Sequence, residues 1–268
     1  MTGARILRGL AVATALGAGA VFSMPALAGG GNGYGGSYKD SGPEMTYPLV
    51  TISGLDVTKN AYESYSGLFY AFNRDLNRDG FVLRLLGTMG AYDYSWGGQD
   101  YDVDYWQGDA MLGYQWVRGG IDVAVYLGVD YQHHKIDPYD FTNELRGAET
   151  GFKIAGDITS NDRNTSPLYF HLGGSYSTAF DTYYGLARIG HKFGHVTIGP
   201  EGWVLGDTTG DAQRLGAFLS FDVEITPTMF GTVALSGGYQ FGSGDGFGGR
   251  NFDDGMYGTL EFRIAYGR

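Results

Sequence analysis

The sequence predicts an all-β protein, a closed antiparallel transmembrane β-barrel of about twelve strands. Three observations predict it. The 268 residues hold 47 Gly, 21 Tyr and 16 Phe but only 7 Pro, where glycine usually supplies about 7% of a chain. From Tyr47 onward, segments of ten to thirteen residues alternate apolar and polar positions and end in polar or Gly-rich turns, which is the period of a strand. These segments exceed the 5–6 residues common in soluble strands and match the roughly 9–11 that cross a membrane.

The elements follow in order. Arg5 and Arg8 precede an apolar stretch from Leu10 to Phe22, and Ala26-Leu27-Ala28 supplies a small-x-small cleavage site. Residues 1–28 therefore read as a secretory signal peptide. Its removal leaves 16 basic against 29 acidic residues, a net charge of −13. Residues 29–45 are a Gly-rich flexible lead-in, and 46–268 form the barrel. Its strands are predicted at 48–57, 62–72, 81–94, 103–117, 121–132, 149–159, 168–178, 182–193, 195–205, 213–225, 229–241 and 255–266. The clearest puts Ile121, Val123, Val125, Leu127, Val129 and Tyr131 on one face, with Asp122, Tyr126, Asp130 and Gln132 on the other.

Two further features favour lipid on the apolar face. Trp106 and Trp116 share a face ten residues apart. At about 3.3 Å per residue and a tilt near 40°, they span roughly 25 Å, the height of the apolar band between aromatic girdles. Connections also alternate, with short ones at 117–120, 193–194 and 226–228 and long ones at 133–148 and 242–254. The short set is expected in the periplasm with both termini, and the long set outside the cell.

Charges within strands fall on the opposite, inward register: Arg84, Asp109, Asp122, Asp130, Lys153, Asp157, Arg214, Asp222, Glu224, Glu261 and Arg263. Placing Arg or Lys against lipid costs about 2–4 kcal/mol at midplane, so these residues are expected to line the lumen. There they make either a polar channel or an internal salt-bridge plug. Tyr105, Tyr126, Tyr169, Phe218 and Tyr257 share that register. On the outer loops, Tyr139, Phe141, Phe247 and Phe252 suit stacking on saccharide; the plainer alternative is packing on the barrel mouth.

Other motifs carry less. With no Cys, disulfides, thiolate metal sites and cysteine nucleophiles are excluded. An acidic chain lacks the electrostatic footprint of a nucleic-acid binder. Asp75 to Gly80 copies half of a calcium loop, but position twelve is Leu86 and Asp-Gly also starts hairpins. Gly244, Gly246 and Gly249 fit a dinucleotide fingerprint without the flanking strand and helix it requires. His133, His134, Asp137 and Asp140 could gather a metal but read as loop residues. His171 lies on the inward register near Ser175, yet no third group orients a base, so neither catalysis nor a cofactor is expected.

Two stretches, GLFYAFNRDLNRDGFVLRLLGTMGAYDY (67–94) and IGPEGWVLGDTTGDAQRLGAFLSF (198–221), resemble the cellulose biosynthesis protein BcsS family of alphaproteobacteria. The resemblance implies an outer-membrane protein that aids cellulose secretion or surface retention, with cellulose or its secretion components as partners beside outer-membrane lipid. It brings no catalytic residues. A general porin or structural barrel is the alternative, and a lipid-modifying barrel enzyme a third.

Overall fold

The computed structural model describes residues 45–161, 166–242 and 253–268. The predicted signal peptide, most of the lead-in, the 244–249 glycine motif, Phe247 and Phe252 lie outside the described residues. Twelve strands run in order: β1 (Leu49–Val57), β2 (Ala61–Ala71), β3 (Gly80–Trp96), β4 (Gln99–Arg118), β5 (Ile121–Asp137), β6 (Gly147–Ser160), β7 (Leu168–Ser177), β8 (Tyr183–Phe193), β9 (Val196–Asp207), β10 (Gly210–Thr226), β11 (Met229–Gly242) and β12 (Gly255–Tyr266). Each pairs antiparallel with its sequence neighbours, and β1 closes on β12 from Leu49↔Tyr266 to Val57↔Gly258. Closure removes both sheet edges, which hydrocarbon would not tolerate.

Alternation sorts the side chains as expected. Leu112, Leu127, Phe152, Leu172, Ile189, Leu215 and Met256, from seven different strands, stand exposed on the outside. A continuous apolar belt of this kind far exceeds the patches that water-soluble monomers show. Aromatic pairs frame it: Tyr114 with Trp116 near the end that carries both termini, and Trp106 with Tyr131 toward the other.

Inward aromatics explain much of the glycine. The Tyr126 ring lies across Gly113 on the neighbouring strand, where a Cβ would collide with it. Tyr65 lies in the same way over Gly54.

Four features differ from the expectation. β3, β4 and β5 are longer than predicted and project at the end away from the termini, so the β5–β6 connection is 138–146 rather than 133–148. Their projecting parts enclose a small second core of Tyr92, Tyr94, Val103 and Ile136. Alternation of connection length is not strict, because β2–β3 is joined by residues 72–79 at the terminal end while β3–β4 turns on Gly97-Gly98. Glu224, expected in the lumen, is exposed at the terminal rim, next to an irregularity in the β10–β11 register between it and Thr226.

The 72–79 connection folds into the barrel. Leu76 is 2% exposed, Gln115 donates from Nε2 to the carbonyls of Leu76 and Arg78, and the Leu76 amide bonds to the Tyr47 carbonyl. Asp75 accepts from the Asn77 amide, making an Asx turn rather than a calcium loop. Arg118 donates to Asp79 and holds that carboxyl below its usual pKa. The terminal end is thereby stoppered by Leu76 and Tyr47, members of one buried cluster, with the half-buried Phe230 packed against it.

Candidate functional site

The lumen is built in three layers. Above the stopper lies a narrow cleft of about 20 Å³ between Asp122, Asp157, Tyr126 and Arg263. Asn161 donates to Asp122 at 2.7 Å, and His171 Nε2 lies 3.3 Å from Asp157. Asp222 accepts from Thr232 at 2.8 Å and, like Arg263, is half-buried near this rim. His171 thus serves an internal contact with a carboxylate.

The middle layer fills the barrel. Asp109 and Asp130 stand directly opposite each other on β4 and β5, an arrangement that repels unless a cation intervenes. Lys153 is that cation, with Nζ 2.7 Å from Asp109 and 3.9 Å from Asp130. Arg84 approaches Asp109 at 4.0 Å and sits over the Tyr126 ring. Across the lumen, Arg188 pairs with Glu201 at 2.8 Å and with Glu261 at 3.6 Å, and Tyr65 donates to Glu261. Apolar Leu86, Met111 and Leu186, each at most 2% exposed, belong to the buried core cluster that also holds Tyr126 and Trp203. Of the two readings, channel or salt-bridge plug, the ion pairs among the described residues of this layer favour the plug.

The upper layer is a cup of about 120 Å³ that opens away from the termini. Arg214 grips Asp56 with two hydrogen bonds, 2.8 and 3.1 Å, and donates to Gln240 at 2.8 Å. Tyr105 donates to Glu63 and stacks on His134, ring centroids 5.3 Å apart and planes 12° from parallel. Gln107, Gln132, Thr182, Tyr184 and Trp203 complete the wall. Phe180, in a short 3₁₀ turn after β7, leans on the His134 ring and roofs that side.

Every predicted lumen residue described here except Glu224 is inside the barrel, but they do not form one site. Arg84, Asp109, Asp130 and Lys153 gather in one cluster. Arg214 joins the cup, Glu261 the opposite ion cluster, and Asp122, Asp222 and Arg263 the lower rim. Sequence reasoning missed Asp56, Glu63, Arg188 and Glu201. Their inward parity was available, as Asp56 follows Val50 and Ile52 and Arg188 follows Tyr184 and Leu186, all buried. Of the four polar residues considered for a metal, His133 stacks on Trp106 outside and His134 on Tyr105 inside. Adjacent strand residues face opposite sides, so the pair cannot chelate.

On the outer loop, Leu145 and Asn143 are fully buried, and Tyr94 donates to Asp140. These anchors, not the aromatics, pack on the mouth. Tyr139 and Phe141 are 58% and 78% exposed, edge-to-face at 4.7 Å, with Arg146 above Tyr139.

No curated protein matches the sequence. Among solved structures, the KdgM porin is 10% identical, covering 81% of this chain and 98% of its own, with a TM-score of 0.38. The β domain of the Bordetella autotransporter BrkA is 11% identical, covering 83% and 99%, with a TM-score of 0.42. Pseudomonas aeruginosa OpdK with vanillate is 15% identical, covering 77% of this chain and 56% of its own, at 0.39. Residues 50–266, from the first strand to the last, match the family described as cellulose biosynthesis protein BcsS, and the chain belongs to that family.

Proposed function

We propose that this protein is an outer-membrane barrel that serves cellulose biosynthesis or secretion at the cell surface, as a closed accessory without catalysis of its own. The filled middle layer carries the reading. Two buried ion clusters and buried apolar residues occupy the lumen, and Leu76 stoppers the terminal end. A polymer conduit or a general porin needs a continuous aqueous path, so the polysaccharide meets this protein at its mouth and loops. The apolar belt supports the membrane, and residues 1–28 act as the export signal. Membership of the cellulose family supports the polymer. Tyr139 and Phe141 are the loop residues that would touch it.

Deletion of the gene tests this, with secreted cellulose measured in amount and in place, on cells against medium. Cell-associated cellulose is expected to fall, and a Tyr139→Ala/Phe141→Ala chain is expected to restore it only in part. Unchanged cellulose in the deletion strain would leave a structural barrel and remove the polysaccharide role.

A further inference from the structure

The cup holds polar atoms that its own walls leave unused. His134 is 8% exposed and lines the cavity, yet neither ring nitrogen has a hydrogen-bond partner, and Gln132 Oε1 is likewise unpartnered. Gln132 spends its amide on Asp130, Ala179 and Thr182, which points the free oxygen elsewhere. Buried polar groups nearly always find partners. A neutral imidazole asks for one donor and one acceptor, and the amide oxygen for a donor. Two donors and one acceptor answer all three, which takes more than one hydroxyl, as a polyol or sugar ring carries.

Size, charge and shape narrow the ligand. A cavity of about 120 Å³ compares with roughly 10–15 Å³ for a single water on the same kind of measure, so it takes one sugar-sized ring. Arg214, the one guanidinium or ammonium group in the lining, is spent on Asp56, so no cation is left for phosphate, sulfate or acidic sugars. A bare cation lacks a cage: both Asp56 oxygens are engaged by Arg214, and Glu63 takes the Tyr105 hydroxyl. The described residues hold no group of three metal-ligating side chains. Tyr105 and Trp203 add aromatic surface to the lining, apolar area against which the C–H groups of a pyranose can pack. Below lies the filled layer, so a chain can enter only end-on from the mouth.

We propose that the cup binds the terminal ring of a neutral glucan chain, with His134 and Gln132 bonding its hydroxyls. The inference rests on the reading that this barrel serves cellulose, and it gives that reading a site distinct from the loop aromatics.

Titration calorimetry on the full mature chain, refolded in detergent, tests it with cellobiose, glucose, sodium phosphate and calcium chloride. Saturable cellobiose binding is expected, with intrinsic fluorescence saturating over the same range. His134→Phe keeps the ring and removes both nitrogens; it should weaken binding about tenfold or more while the folded band persists on gels. Should that variant fail to refold, Leu205→Trp at the rim blocks entry and should abolish binding. No saturable signal at millimolar cellobiose, unchanged affinity in a folded variant, or tighter binding of phosphate or calcium would each overturn the site. Cellobiose binding beside unchanged cellulose in the deletion strain supports the site and removes the cellulose role. A cellulose defect without cellobiose binding does the reverse.

Discussion

Lys153 lies between two carboxylates that strand pairing brings face to face, and both it and Asp109 are almost wholly withdrawn from solvent. Removing one member of such a cluster leaves a buried charge without compensation. Lys153→Met is therefore expected to cost about 3–5 kcal/mol, nearer the lower end because Arg84 remains beside Asp109. Lys59→Met, which breaks an exposed pair with Asp253, should cost under about 1 kcal/mol. Urea titration of the lipid-inserted protein reads both. On the outside of the same wall, Leu127→Arg should cost about 2–4 kcal/mol and lower assembly yield, because Leu127 is exposed on β5 between the levels of the Trp106 and Trp116 girdles. Leu127→Val should not. Equal yields for the two would mean that β5 faces the other way, since a one-residue slip exchanges its faces.

The strands themselves are the part of the fold most legible from sequence, because a wall that separates two solvents imposes alternation at every residue. Ile121 to Gln132 displays both faces without reference to any neighbour. Two things depend on neighbours and were not legible. One is strand extent: His133 to Asp137 reads as loop by composition, but β4 supplies hydrogen-bonding partners out to Asp137. That extension puts His134 on the inner face and creates one wall of the cup. The other is the 72–79 connection, whose Asn and Asp content announces a turn and conceals the inward path of Leu76. Inward parity was readable for Asp56, Arg188, Arg214 and Glu201, whereas the pairing of Asp56 with Arg214 and of Arg188 with Glu201 was not. Pairing across the lumen depends on how the strands are staggered around it. Leu76→Ala should cost about 2–5 kcal/mol through the cavity it leaves, measured as a fall in the urea midpoint. A variant as stable as the parent would show that the connection does not stopper the barrel. Gly113→Val should block assembly, because the added carbons occupy the space of the Tyr126 ring.

At the scale of the molecule, the wall and the filling have separate roles. The apolar exterior and closed sheet commit the chain to a bilayer, while the ion clusters and Leu76 fill the lumen among the described residues, which on the proposed function denies passage through it. What remains accessible is the mouth, with its cup and the exposed Tyr139–Phe141 pair. This division distinguishes a surface-acting barrel from a pore, and planar-bilayer recording of the purified, inserted protein tests it most directly. The expected result is insertion, verified by heat-modifiable folding, without steady ohmic conductance at low voltage. Regular, voltage-independent conductance steps of porin size from the unmodified chain would show an open lumen and contradict the account.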